Sequence, residues 1–162
     1  MTVYIETTPK ERHEYWMMRA LSQAHLAQEN MEIPVGAVLV DCQTGELISE
    51  AYNQPISRND PTAHAEVMVL REAAGIRKNY RLPKTAIYVT IEPCTMCVGA
   101  FNHARVDSVI FGALEPRAGS LVSNLKLGNE SFYNHRLHVL GGVLEDECAD
   151  IMRQFFKNKR TR

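Results

Sequence analysis

The sequence predicts an α/β layer fold in which the strands of the sheet run in mixed directions. Short apolar runs rich in Val, Ile and Leu alternate along the chain with segments whose apolar residues recur every three or four positions. The first pattern is typical of buried strands and the second of amphipathic helices, so their alternation favours a layered sheet. With 162 residues the chain has the usual size of one domain, spanning 1–162.

The first part of the chain predicts a helix, a β-hairpin and a loop. Helical periodicity of the apolar residues extends over about 10–30. The run at 35–40 is short and apolar, as in a buried strand, and Gly45 marks the turn to a returning strand at 46–52. The segment 53–62 contains two prolines, two asparagines and an aspartate, so we expect a loop there.

The second part of the chain predicts three helices and three strands. We expect a helix at 63–74, with Thr62 as its N-cap and Gly75 at its end. The remaining elements are a strand at 86–91, a helix at 93–104 with proline in its first turn, a strand at 106–112, a weak strand at 137–143 and an amphipathic helix at 144–157.

Composition and charge indicate a soluble globular protein. Apolar residues make up 45% of the chain, and no apolar run approaches the roughly 20 residues that a bilayer span requires. The first ten residues lack the apolar core of a signal peptide, so we expect a cytoplasmic protein without a membrane partner. The net charge is -1, but residues 157–162 are basic. They are either a solvated, frayed tail or a contact with an anionic partner.

Two short motifs, His64-Ala65-Glu66 and Pro93-Cys94-Thr95-Met96-Cys97, carry metal-ligand chemistry. Cysteines three apart lie on one face of a helix, and zinc with Zn–S bonds of about 2.3 Å needs sulfurs about 3.7 Å apart. The positive end of the helix also favours thiolates. We therefore expect His64, Cys94 and Cys97 to hold zinc, which leaves a fourth position open, as in catalytic sites.

A Cys-x-x-Cys pair has two other interpretations, a thioredoxin-like redox pair and half of a four-ligand structural zinc site. A redox pair does not account for the preceding His-x-Glu motif. A structural site needs a fourth protein ligand, and Cys42 and Cys148, the other cysteines of the sequence, are better explained as small buried hydrophobes. Because two thiolates cancel the charge of zinc, its water needs a nearby base, and Glu66 is the carboxylate that the motifs supply.

The combined motifs resemble the zinc nucleobase deaminases, whose signature is His-x-Glu followed by Pro-Cys-x-x-Cys. Further segments are similar to the bacterial tRNA-specific adenosine deaminases, and they lie at 13–17, 58–66, 90–97, 111–113, 134–136 and 155–156. The resemblance implies a three-layer α/β/α cytidine-deaminase-like fold with a central mixed five-stranded sheet. It also implies a homodimer with one zinc per chain.

The same resemblance implies a reaction and a set of binding residues. The reaction is hydrolysis of adenosine to inosine at the wobble position of a tRNA anticodon stem-loop, usually in the arginine tRNA with anticodon ACG. Zinc-activated water would attack, with Glu66 as the proton shuttle. Asn53 matches a residue that orients the target base, and Val35 matches one that lines its pocket. Phe156 and Arg160 match an aromatic and basic pair that meets the RNA.

Two other functions remain open from the sequence. One is deamination of a free nucleoside or base, such as cytidine or guanine, which would use the same zinc site. The other is a non-catalytic zinc-binding RNA module, which would give Glu66 and the open coordination position no role. The loop at 115–120, which borders the RNA in the similar family, is short here and has Glu115 where aspartate is frequent. Phe155 is expected either in the core or beside the RNA.

Overall fold

The computed structural model describes residues 3–161, whose strands form a mixed five-stranded sheet. The strands are β1 (Gly36–Asp41), β2 (Leu47–Tyr52), β3 (Thr85–Ile91), β4 (Ser108–Ala113) and β5 (His138–Leu140). They are ordered β2-β1-β3-β4-β5 across the sheet. β1 is antiparallel to both of its neighbours, whereas β3, β4 and β5 are parallel. The predicted mixed sheet is confirmed.

Helices cover both faces of this sheet. They are α1 (Tyr4–Thr7), α2 (Lys10–Glu29), α3 (Pro55–Arg58), α4 (Ala65–Arg77), α5 (Thr95–Ala104) and α6 (Glu145–Arg160), with a 3-10 turn at Leu127–Asn129. Alternate residues of a strand face opposite sides. Accordingly, Val38 and Val40 pack with α2 and α6, whereas Ala37 and Leu39 pack with α4 and α5. The three-layer α/β/α architecture is therefore confirmed.

Two glycines allow helices to approach the sheet closely. A Cβ atom on Gly36 would lie 1.9 Å from the carbonyl oxygen of Ala20, so β1 contacts the backbone of α2 directly. A Cβ atom on Gly112 would lie 2.3 Å from Cys148 Sγ, where α6 packs on β4. Any larger residue at these positions would force the layers apart.

The far end of α4 is fixed to the end of β1 by Asp41. Its carboxylate accepts hydrogen bonds from the backbone N–H groups of Gln43 (2.7 Å) and Thr44 (3.0 Å) and pairs with Arg77. Burial alone would raise the pKa of Asp41, but these hydrogen bonds and the positive charge of Arg77 outweigh burial and hold the pKa below its usual range. The contact therefore favours the ionised carboxylate.

The helix ends near the motifs differ from the prediction. His64, not Thr62, is the N-cap of α4, and the helix continues past Gly75 to Arg77. Pro93 precedes α5, whose N-cap is Cys94. The segment 53–62, predicted as loop, contains the short helix α3, and α1 was not predicted. In both motif helices the first metal-ligand candidate therefore lies just outside the regular helix.

The C-terminal elements also differ in extent. β5 has only three residues, fewer than the predicted strand at 137–143. α6 extends to Arg160, so the basic residues at 157–160 belong to its last turn rather than to a frayed tail. Positive charge there is favoured by the helix dipole. Arg162 lies outside the described residues. Among residues 3–161, no helix is both long and apolar enough to cross a membrane.

Candidate active site

The side chains of the two motifs meet where α4 and α5 begin, on the same face of the sheet. His64 is the N-cap of α4 and Cys94 is the N-cap of α5, and both have extended backbone conformations. Glu66 and Cys97 lie in the first turns of these helices. The positive ends of two helix dipoles are thus directed at one cluster of thiol, imidazole and carboxyl groups.

Three of these side chains form an equilateral triangle of donor atoms. His64 Nδ1 lies 3.7 Å from Cys94 Sγ and 3.7 Å from Cys97 Sγ, and the two sulfurs are also 3.7 Å apart. A tetrahedral zinc ion needs separations of about 3.5–3.8 Å between such donors, given bonds of about 2.0–2.3 Å. One nitrogen and two sulfurs also form the donor set that suits zinc. The three residues therefore fit the ion and leave one coordination position for a non-protein ligand.

The protein environment favours a thiolate at this triangle. The hydrogen bond between the two cysteine side chains lowers the pKa of Cys94 to about 4; burial opposes this shift and His64 reinforces it. The same hydrogen bond, together with burial, raises the pKa of Cys97. The hydrogen bond to Cys94 likewise raises the pKa of His64. A bound cation would take the place of the shared protons.

Glu66 lies buried beside the triangle, and only 3% of its surface is exposed. Burial raises the pKa of its carboxyl group to about 7, although a backbone hydrogen bond and the nearby His64 oppose the shift. Residues two apart point in opposite directions on a regular helix. That conflict does not arise here, because His64 is the extended N-cap and only Glu66 is helical.

Asn53 and Val35 are neighbours at the ends of β2 and β1. The Asn53 backbone N–H donates to the carbonyl oxygen of Val35 at 3.0 Å, and both residues are buried. Gln54 N–H then donates to the carbonyl oxygen of Ala63, the residue before His64, at 2.9 Å. The polar Asn53 and the apolar Val35 are thereby held next to the segment that carries His64.

Phe156 and Arg160 do not belong to this cluster. They lie on the last turns of α6, in the layer on the other side of the sheet from α4 and α5. Phe156 is 42% exposed, and Arg160 is exposed as well. Phe155 is buried, and the ammonium group of Lys159 lies 5.3 Å from the centre of its ring. The open question about Phe155 is therefore answered, because its ring packs in the fold.

Two buried carboxylates near the site had no assigned role in the sequence. Glu32 is 1% exposed and accepts hydrogen bonds from the backbone N–H groups of Ile56 and Ser57 in the first turn of α3. Glu92 is 2% exposed and lies immediately before Pro93. Burial alone would raise the pKa of Glu92, but hydrogen bonds led by those of Ser123 outweigh it and lower the pKa. A carboxylate before a Pro-Cys motif is the only sequence signal for Glu92, and it does not show which groups the side chain binds.

The fold and the donor triangle agree with a known family of zinc enzymes. The family model described as the cytidine and deoxycytidylate deaminase zinc-binding region matches residues 10–113. That match covers more than half of the chain and includes both motifs, so the chain belongs to the cytidine and deoxycytidylate deaminase family. One zinc ion per chain is the metal of this family's site and fits the donor triangle.

Within this family the chain groups with the tRNA-specific adenosine deaminases. The protein of that name from Haemophilus influenzae is 43% identical over 150 residues, which cover 93% of this chain and 86% of the relative. A structure from work on A-to-I editing by tRNA:A34 deaminases at the wobble position of transfer RNA has a TM-score of 0.81. It is 39% identical and covers 85% of this chain and 98% of that one.

A deaminase of a free base is also similar over part of the chain. The guanine deaminase of Bacillus subtilis is 38% identical, with a TM-score of 0.60. The similar region covers 63% of this chain and 64% of that one, less in each case than the relatives that act on tRNA. The similarity supports the same fold and chemistry but does not favour guanine as the substrate.

Proposed function

We propose that the protein hydrolyses adenosine to inosine at the wobble position of a tRNA anticodon. The observation that carries the proposal is the triangle of His64, Cys94 and Cys97 with the buried Glu66 beside it. Such an arrangement suits hydrolytic removal of an amino group from a base. The choice of adenosine in tRNA is supported by the relatives that share about 40% identity over nearly the whole chain.

In this proposal His64, Cys94 and Cys97 hold the zinc ion, and Glu66 moves the protons. When bound, zinc supplies an activated water as the nucleophile. Glu66 accepts a proton from the nucleophile and donates it to N1 of the adenine, which prepares C6 for attack. Glu66 then takes the proton of the new hydroxyl group on C6 and delivers it to the amino group, so that the C6 carbonyl forms as the C–N bond breaks and ammonia leaves. A carboxyl group whose pKa lies near 7 is suited to both directions of transfer.

Asn53 and Val35 are proposed to hold the target base. Among residues 3–161, the Asn53 side-chain amide makes no hydrogen bond to another residue, although Asn53 is only 7% exposed. Because the amide atoms keep access to solvent, they are available to pair with the polar edge of a base. Val35 is 8% exposed and offers an adjoining apolar surface for the flat face of the base.

The substrate is proposed to be an anticodon stem-loop, in particular that of the arginine tRNA with anticodon ACG. A base in a single-stranded loop can be unstacked at small cost, whereas a base within a duplex cannot. Phe156 offers an exposed ring for stacking on a neighbouring base, and Arg160 offers a charge for the phosphate backbone. The ring and the charge lie four residues apart, so they share one face of α6.

We propose further that two copies of this chain form a homodimer. Phe156 and Arg160 lie across the sheet from the metal triangle of their own chain, so a second copy could bring these residues to its partner's site. Light scattering at micromolar concentration should give twice the mass of 18.3 kDa, and a monomer mass would contradict this part. We also propose that the chain functions as one deaminase domain, 1–162. We propose that it acts in the cytoplasm, where tRNA is found.

The substrate proposal is tested by comparing three substrates side by side. Release of ammonia is measured with the arginine tRNA stem-loop, with free adenosine, and with free guanine or cytidine. The proposal predicts rapid turnover of the stem-loop and little or none of the others. Equal or faster turnover of a free base or nucleoside would establish the alternative of a free-base deaminase. Zinc binding without turnover of any substrate would favour a non-catalytic RNA module.

A further inference from the structure

The carboxylate of Glu92 accepts hydrogen bonds from several backbone N–H groups of one loop. Residues 114–124, here called loop 114–124, connect β4 to the segment before the 3-10 turn. Glu92 Oε1 accepts hydrogen bonds from the N–H groups of Leu121 (3.1 Å), Val122 (2.7 Å) and Ser123 (2.8 Å). Glu92 Oε2 accepts one from Glu115 N–H (3.1 Å) and one from the Ser123 hydroxyl. One buried side chain thus fixes both ends of the loop.

The middle of loop 114–124 is in turn bonded to the segment that carries Cys94. Gly119 pairs with Cys94 as an isolated antiparallel bridge. Ser120 N–H donates to the carbonyl oxygen of Pro93 at 2.9 Å, and the hydroxyls of Ser120 and Thr95 are 2.7 Å apart. The loop therefore lies along Pro93, Cys94 and Thr95, where α5 begins.

The contact between the loop and Glu92 is too close for any side chain at position 119. A Cβ atom there would lie 2.3 Å from the Glu92 carboxylate, so Gly119 rests directly on it. Cys94 itself is the extended N-cap of α5, and its carbonyl oxygen accepts a helical hydrogen bond from Val98 N–H at 3.0 Å. The helix thus holds Cys94 on one side, and loop 114–124 provides the contacts on its other side.

From these contacts we infer that Glu92 is a positioning residue for the zinc centre: through loop 114–124 it holds Cys94 in place to bind the metal. Among residues 3–161, the Glu92 side chain makes no hydrogen bond to His64, Cys94 or Cys97. It acts by giving the loop a single conformation, and the loop then fixes the backbone of the first cysteine. Outer residues that orient metal ligands contribute about 10- to 100-fold to metal affinity. This inference rests on the zinc centre but not on the identity of the substrate.

Glu92→Gln is the most informative substitution, because it keeps the volume and removes one acceptor. If the amide oxygen takes the place of Oε1, the NH₂ group meets the N–H of Glu115, and two donors then face each other. Asp41→Asn is the matched control. Asp41 also accepts hydrogen bonds from two backbone N–H groups. It lies at the other end of β3, because it pairs in the sheet with Thr85, the first residue of that strand, whereas Glu92 follows the last.

The experiment measures zinc release from the full zinc-loaded chain into an excess of a chromophoric chelator. The absorption bands of the cobalt-substituted protein and the midpoint of urea unfolding are recorded for each variant. We expect Glu92→Gln to release zinc about 10- to 100-fold faster and to shift the cobalt bands. Asp41→Asn should lose stability while its release rate and cobalt spectrum stay those of the wild type.

Two results would overturn the inference. One is release from Glu92→Gln at the wild-type rate, and the other is equal acceleration in Glu92→Gln and Asp41→Asn, which would reflect general destabilisation. If Glu92→Gln does not fold, the same measurement on Ser123→Ala tests the inference. This substitution removes one of the five hydrogen-bond donors to Glu92, and it does so at an exposed residue. Faster release from Ser123→Ala supports the inference, and an unchanged rate refutes it. The zinc-release experiment contains no nucleic acid, so its outcome does not depend on whether the substrate proposal is correct.

Discussion

Replacement of Glu66 by glutamine should abolish turnover while leaving the fold and the metal in place. Glutamine has the same number of heavy atoms, so the site, which is 3% exposed, gains no cavity. Groups that transfer one proton contribute about 10²- to 10⁴-fold to the rate. Because Glu66 serves two transfers, we expect the upper value, which corresponds to about 5.4 kcal/mol of activation free energy.

The assay is single-turnover conversion of adenosine to inosine in a stem-loop, with zinc content and unfolding midpoint measured on the same samples. Glu72→Gln is the control, since Glu72 is an exposed carboxylate on the same helix, α4, and should keep full activity. Activity of Glu66→Gln within about threefold of the wild type would show that Glu66 is not the shuttle. Loss of zinc from Glu66→Gln would show instead that it supports the metal.

Three further predictions concern the metal, the fold and the RNA. Cys94→Ala should contain almost no zinc by elemental analysis, whereas Cys42→Ala should keep it; equal zinc in both would refute the ligand assignment. Asp41 has a lowered pKa, so its stabilising effect is present above its unfolded pKa of about 3.9 and is lost as pH falls through the folded value. Asp41→Asn should therefore flatten the fall of the urea midpoint in acid, and an unchanged pH profile would contradict this. Arg160→Ala should reduce the slope of log affinity for the stem-loop against log salt by about 0.7–0.9, and an unchanged slope would exclude a phosphate contact.

The sheet and its layers could be predicted because apolar patterning reflects burial. Val38 and Leu39 face opposite helical layers, and a strand buried on both sides is apolar at every position, as the run at 35–40 is. The proximity of the two cysteine side chains could be predicted from spacing, because Cys94 and Cys97 must lie close together wherever the helix begins. Their sulfurs are 3.7 Å apart even though the helix begins at Thr95, not at Pro93.

Features that depend on distant partners could not be predicted in this way. The first turn of α3 is capped by Glu32, whose carboxylate accepts hydrogen bonds from the N–H groups of Ile56 and Ser57. That contact joins residues more than 20 positions apart, so the local pattern at 53–62 indicated only a loop. Glu92 is a similar case, since its partners lie in loop 114–124. Single residues of these types are usually solvated carboxylates, and only the fold shows what they bind.

Mapping of inosine in total tRNA tests the central claim most directly. Unmodified tRNA is incubated with the purified protein and then sequenced, because inosine is read as guanosine. The proposed function predicts conversion at the wobble adenosine of the arginine tRNA with anticodon ACG, and none with Glu66→Gln. No conversion in any tRNA by zinc-loaded protein, or conversion that persists in Glu66→Gln, would contradict the account.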